Sequence, residues 1–184
     1  MAIDARTVKT RIADKARAMG FAASGVARAQ GAGEREGLAR FLEDGRAGDM
    51  AWMRDARDVR GRPEAIWPAA RSVIVLGASY APAGDPLAPL ADPARAAIAL
   101  YALRRDYHDV LKKRLKVLAR WIAETFACEV RVFVDTAPVM EKPLASRAGI
   151  GWQGKHTNLV SREFGSWLLL CEIFTTLALP PDTP

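Results

Sequence analysis

The chain has 184 residues, half of them apolar, which is enough for one substantial core and makes a single domain the default. No apolar run reaches the roughly 18 residues of a membrane span, and the charged start MAIDARTVKTRIADKARAMG has no apolar leader segment, so a cytoplasmic protein that does not engage membrane is expected. A net charge of +6 admits a polyanion such as RNA, while two distant cysteines, Cys128 and Cys171, exclude a disulfide framework and an iron–sulfur cluster ligated by this chain alone.

In chain order, residues 5–19 place Val8, Ile12, Ala16 and Met19 at helical spacing behind the capping residue Asp4, and Gly20 ends the run. Residues 21–27 predict a short strand and 35–44 a second helix. The charged stretch 49–62, with Trp52 and Met53, predicts a short helix followed by a loop. SVIVLGASY at 72–80 is rich in β-branched residues and is the clearest strand. The four prolines within 82–93 mark a surface loop, and 97–102 is expected to form a strand after it. The longest helix is expected over 106–126, with Tyr107, Val110, Leu111, Leu115, Leu118, Ile122 and Phe126 on its apolar stripe.

Within 128–134, Val130, Val132 and Val134 face one way and Arg131 and Phe133 the other, and Asp135 continues the second face at the strand end. A short helix is expected at 143–148, then a glycine-rich loop at 149–155. Two strands, 157–161 and 166–176, are expected to pair through a turn at 163–165. The second is apolar on both faces and should be central. The fold class read from this order is α+β: a mixed, largely antiparallel sheet flanked by helices, a nitroreductase-like sandwich. Residues 1–179 are expected to form the catalytic domain, and the proline-rich 180–184 the start of a linker.

Several motifs invite chemistry. Gly149-Ile150-Gly151-Trp152-Gln153-Gly154 matches G-x-G-x-x-G, but a dinucleotide fingerprint needs a strand before it and a helix after it, the reverse of the order expected here. His156 stands where a P-loop needs Ser or Thr. The glycines allow close backbone approach to a flat or anionic ligand; a plain tight turn is the alternative. Asp106 before Tyr107-His108 reads as a helix cap, not as part of a cobalt-ligating histidine signature. No metal-ligand motif is present. Asp135 stands out on chemical grounds. A carboxyl at a strand end facing a glycine loop can act as an acid, and partial burial would raise its pKa. The alternative is a cap for the following turn through the amide of Thr136 or Ala137.

Three segments then combine: Arg104-Arg105-Asp106-Tyr107-His108; Val134-Asp135-Thr136-Ala137-Pro138-Val139-Met140-Glu141-Lys142; and Gly149 through Leu159, running on to Gly165-Ser166-Trp167. With the Gly48–Pro63 region, this pattern resembles the epoxyqueuosine reductase family over nearly the whole chain. The resemblance implies a cobalamin-dependent oxidoreductase that reduces epoxyqueuosine in tRNA to queuosine, with two 4Fe–4S clusters passing electrons to the cobalt. Those clusters belong to a domain that this chain does not contain, so 1–179 would be the cobalamin-binding part and would not turn over alone. The resemblance makes Asp135 the proton donor. It also places Arg60, Tyr101, Asp135, Gly154, Lys155, His156, Thr157, Asn158, Leu159 and Leu170 at the cofactor, with no metal ligand among them. It implies tRNA carrying epoxyqueuosine and an external electron donor as partners, and a monomer. Alternatives are a stand-alone cobalamin-binding or processing module, a flavin reductase of nitroreductase-like fold, and a reductive dehalogenase-like cobalamin enzyme. Two departures stand out: Pro143 sits where a helix former is usual and could delay the helix start, and His156 sits where Asn is frequent.

Overall fold

The computed structural model describes residues 4–31, 33–135 and 137–184. The chain forms helices α1 (Ala5–Ala18), α2 (Glu34–Glu43), α3 (Ala51–Asp55), α4 (Pro63–Ile66), α5 (Tyr107–Phe126) and α6 (Glu141–Arg147) and strands β1 (Ala23–Arg28), β2 (Ser72–Ser79), β3 (Val130–Phe133), β4 (Trp152–Gln153), β5 (Leu159–Val160) and β6 (Leu168–Thr175). Four strands form one sheet in the order β1-β2-β6-β3, every neighbour antiparallel. The fold is thus a mix of helices and an antiparallel sheet.

The alternation of side chains along the strands splits the core in two. Ile74, Leu76, Cys171 and Ile173 point to the side covered by α1 and α5, where Ile12, Leu115, Leu118 and Ile122 meet them. Val73, Val75, Leu170 and Phe174 point to the other side, onto Leu144, Ala145 and Ala148 of α6. Each fully buried Leu or Ile contributes roughly 1.5–3 kcal/mol relative to exposure. β6 is flanked on both sides by partners, and its near-continuous apolar run follows from having both faces covered. Asp4 caps α1 through the amides of Arg6 and Thr7, and Asp106 caps α5 through that of His108.

Three expectations are corrected. The stretch 97–102 is not a strand: it holds a 3₁₀ turn at Leu100–Ala102, is largely exposed and pairs with no strand of the sheet. The strand at 157–161 does not pair with β6. Its core, β5, forms a separate hairpin with β4, and the turn at 163–165 closes only a bridge between Ser161 and Gly165, because β6 is taken up between β2 and β3. α6 begins at Glu141, two residues before Pro143. Proline is tolerated there because a first-turn N–H has no helical acceptor.

The last residues lie against the molecule. Asp182 accepts from the Val26 amide and forms an ion pair with Lys9, while its own amide donates to the Val26 carbonyl.

Candidate active site

β3 ends at Phe133, and two residues later the chain reaches Asp135 in the left-handed region, φ 49°. Aspartate enters this region more readily than most residues because its short polar side chain bonds locally. Two groups from the first turn of α5 hold its carboxylate. The Tyr107 hydroxyl donates to Asp135 Oδ2 at 2.7 Å, and His108 Nε2 lies 3.3 Å from the same oxygen. The other ring nitrogen, Nδ1, is 2.7 Å from Asp106 Oδ1. The cap that starts α5 therefore also orients the imidazole. The Asp135 amide donates to Glu141 Oε1 at 2.7 Å, so α6 fixes the backbone while α5 fixes the side chain. The Asp135 side chain is 56% exposed, so the burial expected from its strand-end position is absent and its surroundings are hydrogen-bonding groups. Of the two turn-capping partners considered for it, Thr136 lies outside the described residues.

The electrostatics follow from this geometry. Burial lowers the affinity of His108 for a proton, but the hydrogen bonds and charges of Asp106 and Asp135 outweigh it, and the net shift is upward. Burial first, then the Asp135 carboxylate, pushes the Tyr107 hydroxyl well up, so it stays a donor. Burial likewise raises Glu141. Desolvation pulls the Arg60 guanidinium down, with Glu141 opposing it.

Because the folded His108 holds its proton more tightly than the unfolded one, its stabilising effect is complete below the free value of 6.5 and is lost as pH rises through the raised folded value. Urea unfolding across this range should show wild type and His108→Asn differing most at the acid end and converging at the alkaline end. A difference that grows with pH would contradict the arrangement.

The structure places the other expected residues as follows. Tyr101 packs edge-on against Tyr107, ring centroids 6.4 Å apart. Arg60 lies over the Trp52 ring at 4.7 Å, and its Nε is buried without an acceptor among the described residues. Gly154, Lys155, His156, Thr157 and Asn158 form the β4–β5 turn, closed by bonds from the Gly154 amide to the Asn158 carbonyl and from the Thr157 amide to the Gly154 carbonyl. A Cβ on Gly154 would lie 2.6 Å from the His156 ring, so glycine here lets that ring pack against the backbone of the turn. His156 Nε2 is 3.4 Å from Ser166 Oγ, and the Ser166 carbonyl accepts from the Tyr80 hydroxyl. Leu159 and Leu170 are core residues facing α6, so their side chains serve packing. A cavity of about 560 Å³ opens among Tyr80, Leu100, Tyr101, Tyr107, Arg114 and Leu169.

The geometry thus joins Asp135, Tyr101 and Arg60 through residues that sequence reasoning passed over: Tyr107, His108 and Glu141. In the sequence Tyr107 belongs to the apolar stripe of α5, and His108 lacks the glycine of a cobalt-ligating signature. Their signal was Asp106-Tyr107-His108 itself, a polar triplet at a helix start. Nothing local marks Glu141 as a partner of Asp135.

Over residues 60–136 the chain matches the family model described as "Epoxyqueuosine reductase QueG, DUF1730". It is 47% identical over 178 residues to the epoxyqueuosine reductase of Gloeobacter violaceus, covering 95% of this chain and 54% of that protein. It is 42% identical over 184 residues to the epoxyqueuosine reductase of Xanthomonas campestris pv. campestris, covering 98% and 52%. The chain therefore spans about half the length of the curated relatives it matches. A crystal structure of epoxyqueuosine reductase with an epoxyqueuosine-modified tRNA-Tyr stem loop superposes with a TM-score of 0.81 at 24% identity, over 98% of this chain and 48% of that one. A reductive dehalogenase, whose structure suggests a mechanism for B12-dependent dehalogenation, gives 0.61 at 17% identity, over 100% of this chain and 22% of that one. These two are likenesses of fold.

Proposed function

We propose that this chain, similar over nearly its whole length to curated epoxyqueuosine reductases, is the part of such a reductase that binds cobalamin and delivers the proton when epoxyqueuosine in tRNA is reduced to queuosine. The observation that carries this is the Asp135 carboxyl, held by Tyr107 and His108, with Tyr107 also lining the cavity. The finer description of the fold as a nitroreductase-like sandwich belongs to the same reading, supported by the antiparallel order β1-β2-β6-β3 with helices on both faces.

The residues suit a corrin, a large flat ring with amide arms. Arg60 offers a buried donor that lacks an acceptor among the described residues, the β4–β5 turn carries the polar groups of Lys155, Thr157 and Asn158, and Tyr101 and Tyr107 line the cavity. Arg60, Tyr101 and the backbone and polar side chains of 154–158 would hold the group, with Leu159 and Leu170 backing the site from the core. When bound, cobalamin supplies a metal centre able to pass electrons to carbon. The protein's own contribution is acid catalysis. Asp135 gives its proton to the oxygen leaving the epoxide carbon, the Tyr107 hydroxyl keeps the carboxyl in place, and His108, 3.3 Å away and with a raised proton affinity, can return a proton to it.

Electron delivery falls to residues outside this chain, since two cysteines cannot ligate a 4Fe–4S cluster, and we assign it to an iron–sulfur domain fed by an external donor. In this reading residues 1–179 are the cobalamin-binding catalytic domain and 180–184 lead toward that second domain. The protein acts as a cytoplasmic monomer, and no helix among the described residues is long and apolar enough to cross a membrane. The tRNA substrate is supported by the modified stem loop present with the related reductase and by the net charge of +6.

The test is a chimaera in which these 184 residues replace the matching half of the Gloeobacter violaceus relative, expressed in cells lacking the reductase. Nucleoside analysis of tRNA should show queuosine; persistence of epoxyqueuosine with a folded, cofactor-loaded chimaera would refute the assignment.

A further inference from the structure

Glu172 is a carboxyl group that the chemistry above does not use. It lies in the middle of β6, opposite Val75 of β2 and Phe133 of β3, and is completely buried. Strand alternation turns it to the α6 side, between Leu170 and Phe174. Neither of its oxygens meets a hydrogen-bond donor among the described residues. A second carboxyl, Glu141 at the start of α6, which packs against β6, interacts with it side chain to side chain. The charged and titratable groups around the pair are Asp135 from the loop after β3, His108 and Tyr107 from α5, Arg60 from the loop before α4, and Cys171 beside Glu172 on β6.

Two ionised carboxylates in contact inside a protein repel strongly, and a buried one without donors is costlier still. A single proton between them turns the repulsion into a hydrogen bond. Its location follows from the unequal surroundings. Glu141 already accepts the Asp135 amide and faces Arg60 and His108, all of which favour its charged form. Glu172 has no such neighbours, and burial drives it strongly toward the neutral acid.

We propose that Glu172 and Glu141 share one proton at neutral pH, Glu172 donating to Glu141, and that this pair is the positioning element that fixes the Asp135 loop. The charge left on Glu141 accepts the Asp135 N–H and holds that residue in its left-handed conformation. Without the Glu172 proton, Glu141 would turn toward other donors and the loop would lose its anchor. The inference deepens the reading of Asp135 as the acid and rests on it for its meaning in catalysis.

The test uses the purified chain and needs neither cobalamin nor tRNA. Infrared spectra at neutral pH should contain a protonated-carboxyl band that shifts when glutamate is carbon-13 labelled and disappears in Glu172→Gln. Exchange of the Asp135 amide, followed by NMR, should stay slow in Glu172→Gln, whose side-chain N–H replaces the acid as donor. It should quicken by about tenfold or more in Glu172→Met and Glu141→Gln. Absence of the band from the wild-type chain, or equal protection in all four proteins, overturns the proposal. If Glu172→Met or Glu141→Gln does not fold, the wild-type band and the behaviour of Glu172→Gln decide the question. Normal turnover by an Asp135 variant would remove Asp135 as the acid without touching these readouts, so the two claims can fail separately.

Discussion

Replacing Asp135 by asparagine should lower epoxyqueuosine reduction in the chimaera by about 10²–10⁴-fold, the usual worth of a positioned general acid, while leaving cobalamin bound. Asparagine is chosen because it tolerates the left-handed backbone at φ 49° and keeps an oxygen for the Tyr107 hydroxyl. The loop should therefore keep its position, and the change removes one capability, release of a proton from the carboxyl. Queuosine in tRNA, quantified against time, gives the rate, and corrin absorbance of the purified variant checks the cofactor. A variant that reduces epoxyqueuosine at the wild-type rate would remove Asp135 from the chemistry. A variant that loses cobalamin as well would make the residue part of the cofactor pocket first.

The second large effect is on stability. β1 crosses the C-terminal end of α6 at very short range: a Cβ on Gly25 would lie 2.1 Å from the Ala148 carbonyl oxygen, a backbone atom that cannot swing aside. Ala23 and Ala27, two residues to either side, share this face and are also small, so the strand presents a flat surface to the helix. Gly25→Val should therefore cost about 3 kcal/mol or more, at the upper end of overpacking, because strand and helix must separate to admit it. Urea unfolding of the purified chain measures this. A loss below about 1 kcal/mol would mean that α6 can shift without penalty. The consequence reaches the site, since α6 begins with Glu141, whose carboxylate anchors the Asp135 amide.

Where side-chain pattern and local geometry agree, the fold was legible. The stripe from Tyr107 to Phe126 made α5 evident, SVIVLGAS made β2 evident, and the apolar run of β6 correctly implied a central strand. Partner choice was less legible. The turn at 163–165 suggested a hairpin, but β6 gains eight residues of pairing with β2 and four with β3, against the single bridge that the turn closes. Residues 97–102 have strand-like composition but follow a proline-rich loop, lie largely exposed and close into a 3₁₀ turn instead of pairing. Asp135 was visible as a carboxyl at a strand end beside a distinctive motif. The groups that hold it were not, because Tyr107 and His108 come from 28 and 27 residues upstream and Glu141 from the helix that follows. A glutamate within an apolar strand is itself a signal of a polar contact on that face.

The central claim is that these residues build a corrin site beside Asp135. Absorbance titration of the purified chain with cob(II)alamin, with flavin mononucleotide in parallel, tests it most directly. A saturable change in the corrin spectrum at one cobalamin per chain is expected, weakened when Gly154→Val crowds the β4–β5 turn, with no tight flavin binding. Tight flavin binding with no change in the corrin spectrum would contradict it and favour a flavin-dependent reductase on the same scaffold.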